Sequence, residues 1–202
     1  MKEAFMDLVA RAQGIILKPK EEWEKIKKED LSVSQIFSSY AVILAAIPAI
    51  AQFIGLALVG RKVPFVGWYR YGIGSAFLYM ILLYVFSLAS VYVFGIVINA
   101  LAPTFSSKQN TTNAMKIAVF SMTPYWVAGV LYIIPFLGIL VILASLYGIY
   151  ILYLGFAAPL MDTPQEKVVA YLIVSVVVGI VLMAVVAIVL AAIFTVGSIS
   201  AI

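Results

Sequence analysis

The side chains that could do chemistry within a bilayer here are amides, hydroxyls and phenols: Gln52, Asn99, Ser121, Thr123, and the tyrosines Tyr147, Tyr150 and Tyr153, spaced three apart. Such groups hydrogen-bond to each other, to small neutral solutes or to lipid carbonyls, and none titrates near neutral pH. Histidine and cysteine are absent. Their absence removes imidazole acid–base chemistry, thiolate nucleophiles, disulfides, and zinc or haem sites with His or Cys ligands. The nine acids fall outside the long apolar runs. The ionisable residues that mark proton relays and ion-coupled transport are therefore not expected at membrane depth. Asp162 and Glu166, four apart, are the pair placed to hold a cation, but a capping role accounts for Glu166, and no metal or other cofactor is expected. With no catalytic triad, Gly-rich phosphate loop or clustered carboxylate pair, an enzyme is the least expected class.

The elements that must position these groups are set by the apolar runs. After Lys116 the chain carries no charge until Asp162, a run of 45 residues. One helical crossing of the roughly 30 Å hydrocarbon core takes about 20 apolar residues, so this run holds two. They join near Ile134-Pro135-Phe136-Leu137-Gly138 in a hairpin whose turn barely leaves the membrane. Over its 202 residues the chain is 65% apolar and 11% charged, with mean hydropathy +1.14, where soluble domains carry about 25% charged residues. This predicts an all-α integral membrane protein: a charged, amphipathic segment over 1–31, then a five-helix domain over 32–202 with crossings at about 33–59, 74–101, 114–134, 136–160 and 167–195.

In the first segment, Phe5, Leu8, Val9, Ala12, Ile15 and Ile16 share one helix face, opposite Lys2, Glu3, Asp7, Arg11 and Gln13. Such a helix lies in the headgroup plane or packs on the ends of the crossings. Pro19 suits the start of a second helix, with Glu21–Lys25 and Glu24–Lys28 as i,i+4 pairs on a solvated face and Trp23 and Ile26 as interfacial anchors. Ser32-x-x-Gln35 has the form of a capping box, as has Thr163-Pro164-Gln165-Glu166. Pro48 should disturb the first crossing, and Gln52 needs a partner. The loop 60–72 holds Arg61, Lys62 and Arg70 beside the aromatic belt residues Trp68, Tyr69 and Tyr71. The sequon Asn110-Thr111-Thr112 is discounted because it falls on the expected cytosolic side. No signal peptide is evident in the first 30 residues. Seven of the 13 Lys and Arg precede residue 31, which points to a membrane surface and not to nucleic acid. Lys108, Lys116 and Lys167 join them if the N-terminus is cytosolic, leaving three basic residues outside. The positive-inside rule thus predicts N-in and C-out.

Gly148 and Gly155 lie seven apart, on nearly one helix face, with Ala144 adding a small-xxx-small step. The expectation is that they set the closest helix contact, while the three phenols hydrogen-bond across to Ser121, Thr123 or Gln52. A packed seam and a polar ligand groove both satisfy this pattern.

MKIAVFSMTPYWVAGVLYIIPFLGILVILASLYGIYILYLGF resembles the Yip1 domain in its prokaryotic branch. The likeness lies in Thr123-Pro124, the Ile134-Pro135 turn and the Tyr- and Gly-bearing stretch from Tyr147 to Phe156. Upstream, LKPKEEWEKI and AAIPAIAQFIG resemble the family's lead-in and first crossing. The resemblance implies a five-helix bundle with a cytosolic N-terminus. Eukaryotic members act in vesicle trafficking with small Rab-type GTPases and associate with one another. The Asp-Leu-x-Gly-Pro motif of their long N-terminal region has no counterpart here, so the resemblance does not carry GTPase binding to this chain. The expected partners are the lipid bilayer, a second copy or other membrane proteins, and no nucleic acid. The leading functional expectation is a non-enzymatic protein that organises membranes or partner proteins. The alternative is a channel, transporter or lipid-handling protein for a small solute, ion or lipid, lined by Gln52, Asn99, Ser121, Thr123 and the tyrosines.

Overall fold

A computed structural model describes the backbone of residues 2–63, 67–157 and 160–199 and the side chains of 7–60, 67–157 and 160–194. The side chains of Lys2, Glu3, Phe5, Arg61 and Lys62 lie outside these ranges. Two short helices come first, α1 (Lys2–Leu17) and α2 (Pro19–Lys28). Among the described residues, five helical stretches are then long and apolar enough to cross a membrane: Val33–Val59, Ile73–Phe105, Thr111–Ile133, Pro135–Ala157 and Gln165–Phe194.

Local chemistry explains the starts and interruptions of these crossings. The first begins with α3 (Val33–Ile36), where the capping box forms. Ser32 Oγ accepts the Gln35 amide at 3.2 Å and Gln35 Oε1 accepts the Ser32 amide at 2.9 Å. It continues through α4 (Val42–Ile54), flanked by two π-helical segments, Phe37–Ala41 and Gly55–Val59. A two-stranded antiparallel ribbon, β1 (Arg61–Val63) and β2 (Gly67–Tyr69), pairs Lys62 with Trp68 and leads to α5 (Ile73–Leu101). The third crossing is α6 (Thr111–Ser121) and α7 (Thr123–Ala128), followed by a 3-10 turn over Gly129–Ile133. Asn110, from the discounted sequon, is its N-cap: Oδ1 accepts the Asn113 amide at 2.9 Å. A second 3-10 turn over Pro135–Leu137 enters α8 (Gly138–Ala157), and α9 (Gln165–Ile199) closes the chain. The expected tight turn at Ile134–Gly138 is thus present, with Phe136 86% exposed at its tip.

The crossings differ sharply in what surrounds them. In the most apolar window of each, 67% of the third crossing is buried but only 6% of the fifth. The third is therefore the axis of the bundle, and the fifth is an outer helix most of whose side chains face outward, with Val168, Tyr171, Ser175 and Leu190 buried against the bundle. The tightest approach lies between the first and third crossings. A Cβ on Gly55 would stand 2.2 Å from the Tyr132 carbonyl oxygen, and one on Gly129 would stand 2.5 Å from Pro48 Cβ. This corrects the expectation for Gly148 and Gly155. A Cβ on Gly148 would meet the Ser121 carbonyl at a looser 3.0 Å, and Gly155 faces the Trp23 ring of α2, not another crossing.

One end of the bundle, the hairpin end, carries the loops around 106–110 and 160–164. These are tied by the Lys108 amide to the Met161 carbonyl at 2.8 Å and by Ser107 Oγ donating to Thr163 Oγ1 at 2.9 Å. The opposite end, the turn end, carries the ribbon and the turn at Ile134–Leu137.

Candidate functional site

The α1–α2 hairpin does not lie on the bundle; it is sunk into it. Leu8, Ala12 and Ile15 of α1 and Trp23 and Ile26 of α2 are buried with the core residues of the third and fourth crossings. The Trp23 indole N–H donates to the Ile151 carbonyl at 3.1 Å, and the Tyr147 hydroxyl donates to the Ile16 carbonyl at 2.8 Å. Tyr147 is ten residues inside the Ala157 end of α8, about 15 Å along the axis. The hairpin's tip therefore reaches mid-height. Trp23, expected as an interfacial anchor, is instead an internal one, for its ring fills the space that Gly155 leaves open.

Seating two charged helices this deep requires their inward charges to be paired. Arg11 supplies the link. Its Nη1 donates to Glu22 Oε1 at 2.7 Å, its Nη2 donates to Glu29 Oε1, and its guanidinium lies 5.8 Å from the centre of the Phe120 ring. Lys25 Nζ reaches Glu22 Oε2 at 2.9 Å. Lys116, near the start of the third crossing, points its ammonium at the end of α2 and donates to the carbonyls of Ile26 at 3.0 Å and Glu29 at 2.6 Å. The expected pairs Glu21–Lys25 and Glu24–Lys28 are replaced: Glu21 pairs with Lys18, and Lys25 with Glu22. The local i,i+4 rule failed because Glu22 is drawn inward by Arg11, eleven residues away on another helix. Gly14 had no evident role in the sequence. A Cβ there would stand 2.4 Å from Glu22 Oε2, so the glycine lets α1 close over the carboxylate without the Glu22 side chain having to shift.

The polar residues singled out in the sequence are placed apart. Thr123 is fully buried, donates to the Phe120 carbonyl at 2.7 Å and, its one proton thus used, accepts from the Tyr40 hydroxyl at 2.8 Å. Ser121, close beside it in the chain, has a buried Oγ without a partner. Pro124 is buried in the first turn of α7. The phenols do not reach Ser121, Thr123 or Gln52. Tyr147 bonds to Ile16, Tyr150 is 41% exposed with its ring 5.8 Å from that of Tyr147, and Tyr153 packs half-buried against the core. Asn99 sits at the hairpin end, donating to Thr111 Oγ1 at 3.1 Å. Gln52 and Pro135 sit at the turn end, in the wall of a cleft with Tyr132 and Phe136. Asp162 is ion-paired with Lys108 at 2.7 Å. The lysine beside it holds the Asp162 carboxyl below the usual carboxylate range, and the same bond pushes Lys108 up.

The arrangement can anchor, pack and hold polar groups at depth. Among the described residues there is no group of three or more His, Cys, Asp or Glu that could hold a metal ion. The chain matches the family model of the Yip1 domain over residues 14–199. Two relatives, the Inner membrane protein YohC of Escherichia coli K12 and that of Escherichia coli O6:H1, are each 26% identical over 161 residues, covering 76% of this chain and 80% of theirs. No solved structure matches. With the family model spanning α2 and the five crossings, the chain belongs to the Yip1 domain family.

Proposed function

We propose that this protein is a non-enzymatic organiser of the bilayer and of partner membrane proteins, with its N-terminus and hairpin end in the cytosol. The observation that carries this reading is the seat of the α1–α2 hairpin. It adds two helices to the cross-section of one half of the bundle and none to the other. Apart from Ala10 and Leu17, its outward face is polar: Asp7, Gln13, Lys18, Lys20, Glu21, Glu24, Lys25, Lys27 and Lys28 are exposed. A polar face at that height must meet headgroups or water. The fifth crossing, by contrast, presents an uncharged surface from Val168 onward. Such a molecule thins the bilayer on one side, spreads one leaflet more than the other, and draws together copies or partners that share the deformation.

The test is reconstitution of the full chain into liposomes with crosslinking, scored for vesicle size and shape, lipid distribution and neighbours. The expected result is altered curvature with crosslinked copies or partners. A strict monomer that leaves vesicle shape and lipid distribution unchanged overturns the proposal. The alternative, a passage for solutes, ions or lipids, draws less support because Gln52 and Asn99 sit at opposite ends of the bundle. Flux assays on Tyr150→Phe and Gln52→Leu test it.

A further inference from the structure

At the turn end, a cleft of about 590 Å³ opens between the first crossing, the ribbon and the turn between the third and fourth crossings, walled by Gln52, Leu56, Trp68, Tyr132, Pro135 and Phe136. Its wall residues Leu56 and Val59 belong to the π-helical segment Gly55–Val59, which starts where a Cβ on Gly55 would stand 2.2 Å from the Tyr132 carbonyl oxygen. Single π turns within α-helices recur at functional sites. The Trp68 indole N–H donates to the Val59 carbonyl at 3.1 Å and holds the ribbon over the cleft. Ile134, Phe136 and Trp68 are exposed at its mouth, so the mouth faces the bilayer. A volume of this size, with mostly apolar and aromatic walls and the Gln52 amide among them, falls within the range of small-ligand sites.

The depth of that polar group identifies the ligand. The first crossing has 27 residues, about 40 Å at 1.5 Å each, which matches the roughly 40–45 Å bilayer with headgroups. Gln52 lies seven residues before the end of that crossing, about 10 Å inward, where headgroup gives way to hydrocarbon. Ester carbonyls join acyl chains to headgroups at that boundary. No hydrogen bond from a described residue holds the Gln52 amide, which lines the cleft, and an amide at this depth needs one.

We propose that the cleft binds a diacyl lipid of the turn-end leaflet. The Gln52 side-chain N–H donates to an ester carbonyl, and the upper acyl chain lies against Leu56, Tyr132, Pro135 and Phe136. This site does not depend on the bilayer-organising reading, since nothing in it involves the hairpin.

The test uses Trp68. The chain has three tryptophans, and Trp23 and Trp126 are buried in the core, so quenching by chain-brominated lipid reports on Trp68. The full chain in detergent is titrated with brominated diester phosphatidylglycerol and with its diether analogue, which has the same chains and headgroup but no carbonyl. The expected result is tighter binding of the diester by roughly fivefold, the factor of one net hydrogen bond, and equal binding of the two by Gln52→Leu. Phe136→Ala should weaken both lipids and keep their ratio. Equal affinities in the unsubstituted protein, or a ratio that survives Gln52→Leu, overturn the proposal, as does quenching that never saturates, the sign of bulk detergent-like contact only.

Discussion

Arg11 bridges the carboxylate of Glu22 on α2 and that of Glu29 just past its end, and nothing else among the described residues ties α1 to α2 by charge. Removing it strands Glu22, whose side chain is only 6% exposed, with Lys25 as its remaining cation. Breaking one partner of a buried pair costs about 3–5 kcal/mol, whereas replacing both by apolar residues of similar volume is close to neutral. Arg11→Ala should therefore lower stability in detergent by an amount in that range, and Arg11→Met with Glu22→Leu should recover most of it, as measured by thermal unfolding. Arg11→Lys should fall between, because an ammonium cannot reach both carboxylates in the forked geometry of a guanidinium. The loop pair Lys108–Asp162 behaves differently. The Asp162 pKa is lowered in the folded state, so its contribution is fully present above the unfolded carboxylate value, about 3.9, and is lost as pH falls through the lowered folded value. The Lys108 pKa is raised, so its contribution is present below about 10.4 and is lost as pH rises through the raised folded value. Hydrogen-exchange protection around 160–164, corrected for the intrinsic pH dependence of exchange, should therefore fall in strong acid and strong base and stay flat between. Asp162→Asn should remove both limbs.

At the scale of elements, the seats of the helices are fixed by where a side chain is missing. The distance from an added methyl group to its nearest neighbour ranks three alanine substitutions: Gly55 meets a backbone oxygen at 2.2 Å, Gly155 a tryptophan ring at 2.8 Å and Gly148 a backbone oxygen at 3.0 Å. Overpacking costs typically 1–3 kcal/mol, so the loss in unfolding stability should run Gly55→Ala, then Gly155→Ala, then Gly148→Ala. Gly155→Ala should also loosen the hairpin, read as faster proteolysis between residues 18 and 31 with the crossings intact. The crossings themselves were legible in the sequence, because each is a long uncharged run that only a bilayer accommodates. The capping box at Ser32 and the turn at Pro135 were legible for the same kind of reason, as local chemistry between near neighbours. The hairpin's seat was not. It depends on Arg11 meeting Glu22 and Glu29, and on Trp23 meeting Gly155, pairs far apart in the chain that no period or spacing rule connects. The π segments left no signal either, since Phe37–Ala41 and Gly55–Val59 read as ordinary apolar helix.

For the whole molecule, the polar residues grouped in the sequence as one possible groove sort into separate tasks: Thr123 closes a buried bond with Tyr40, Tyr147 holds the hairpin tip, and Gln52 faces the turn-end cleft. What unites the structure is asymmetry along the membrane normal, with a hairpin polar on its outer face sunk to mid-height beside an axial third crossing. The absence of cysteine makes that claim directly measurable, because a single engineered thiol can be labelled cleanly. Lys18, two residues beyond the carbonyl that Tyr147 reaches, has a side chain 68% exposed. A nitroxide at Lys18→Cys in the full chain, reconstituted in bilayers, should collide more with a water-soluble paramagnetic agent than with oxygen. A control at Met183→Cys, midway along the exposed face of α9, should show the reverse. A Lys18 label that prefers oxygen and is shielded from the polar agent would mean that lipid chains cover the hairpin, and would contradict the account.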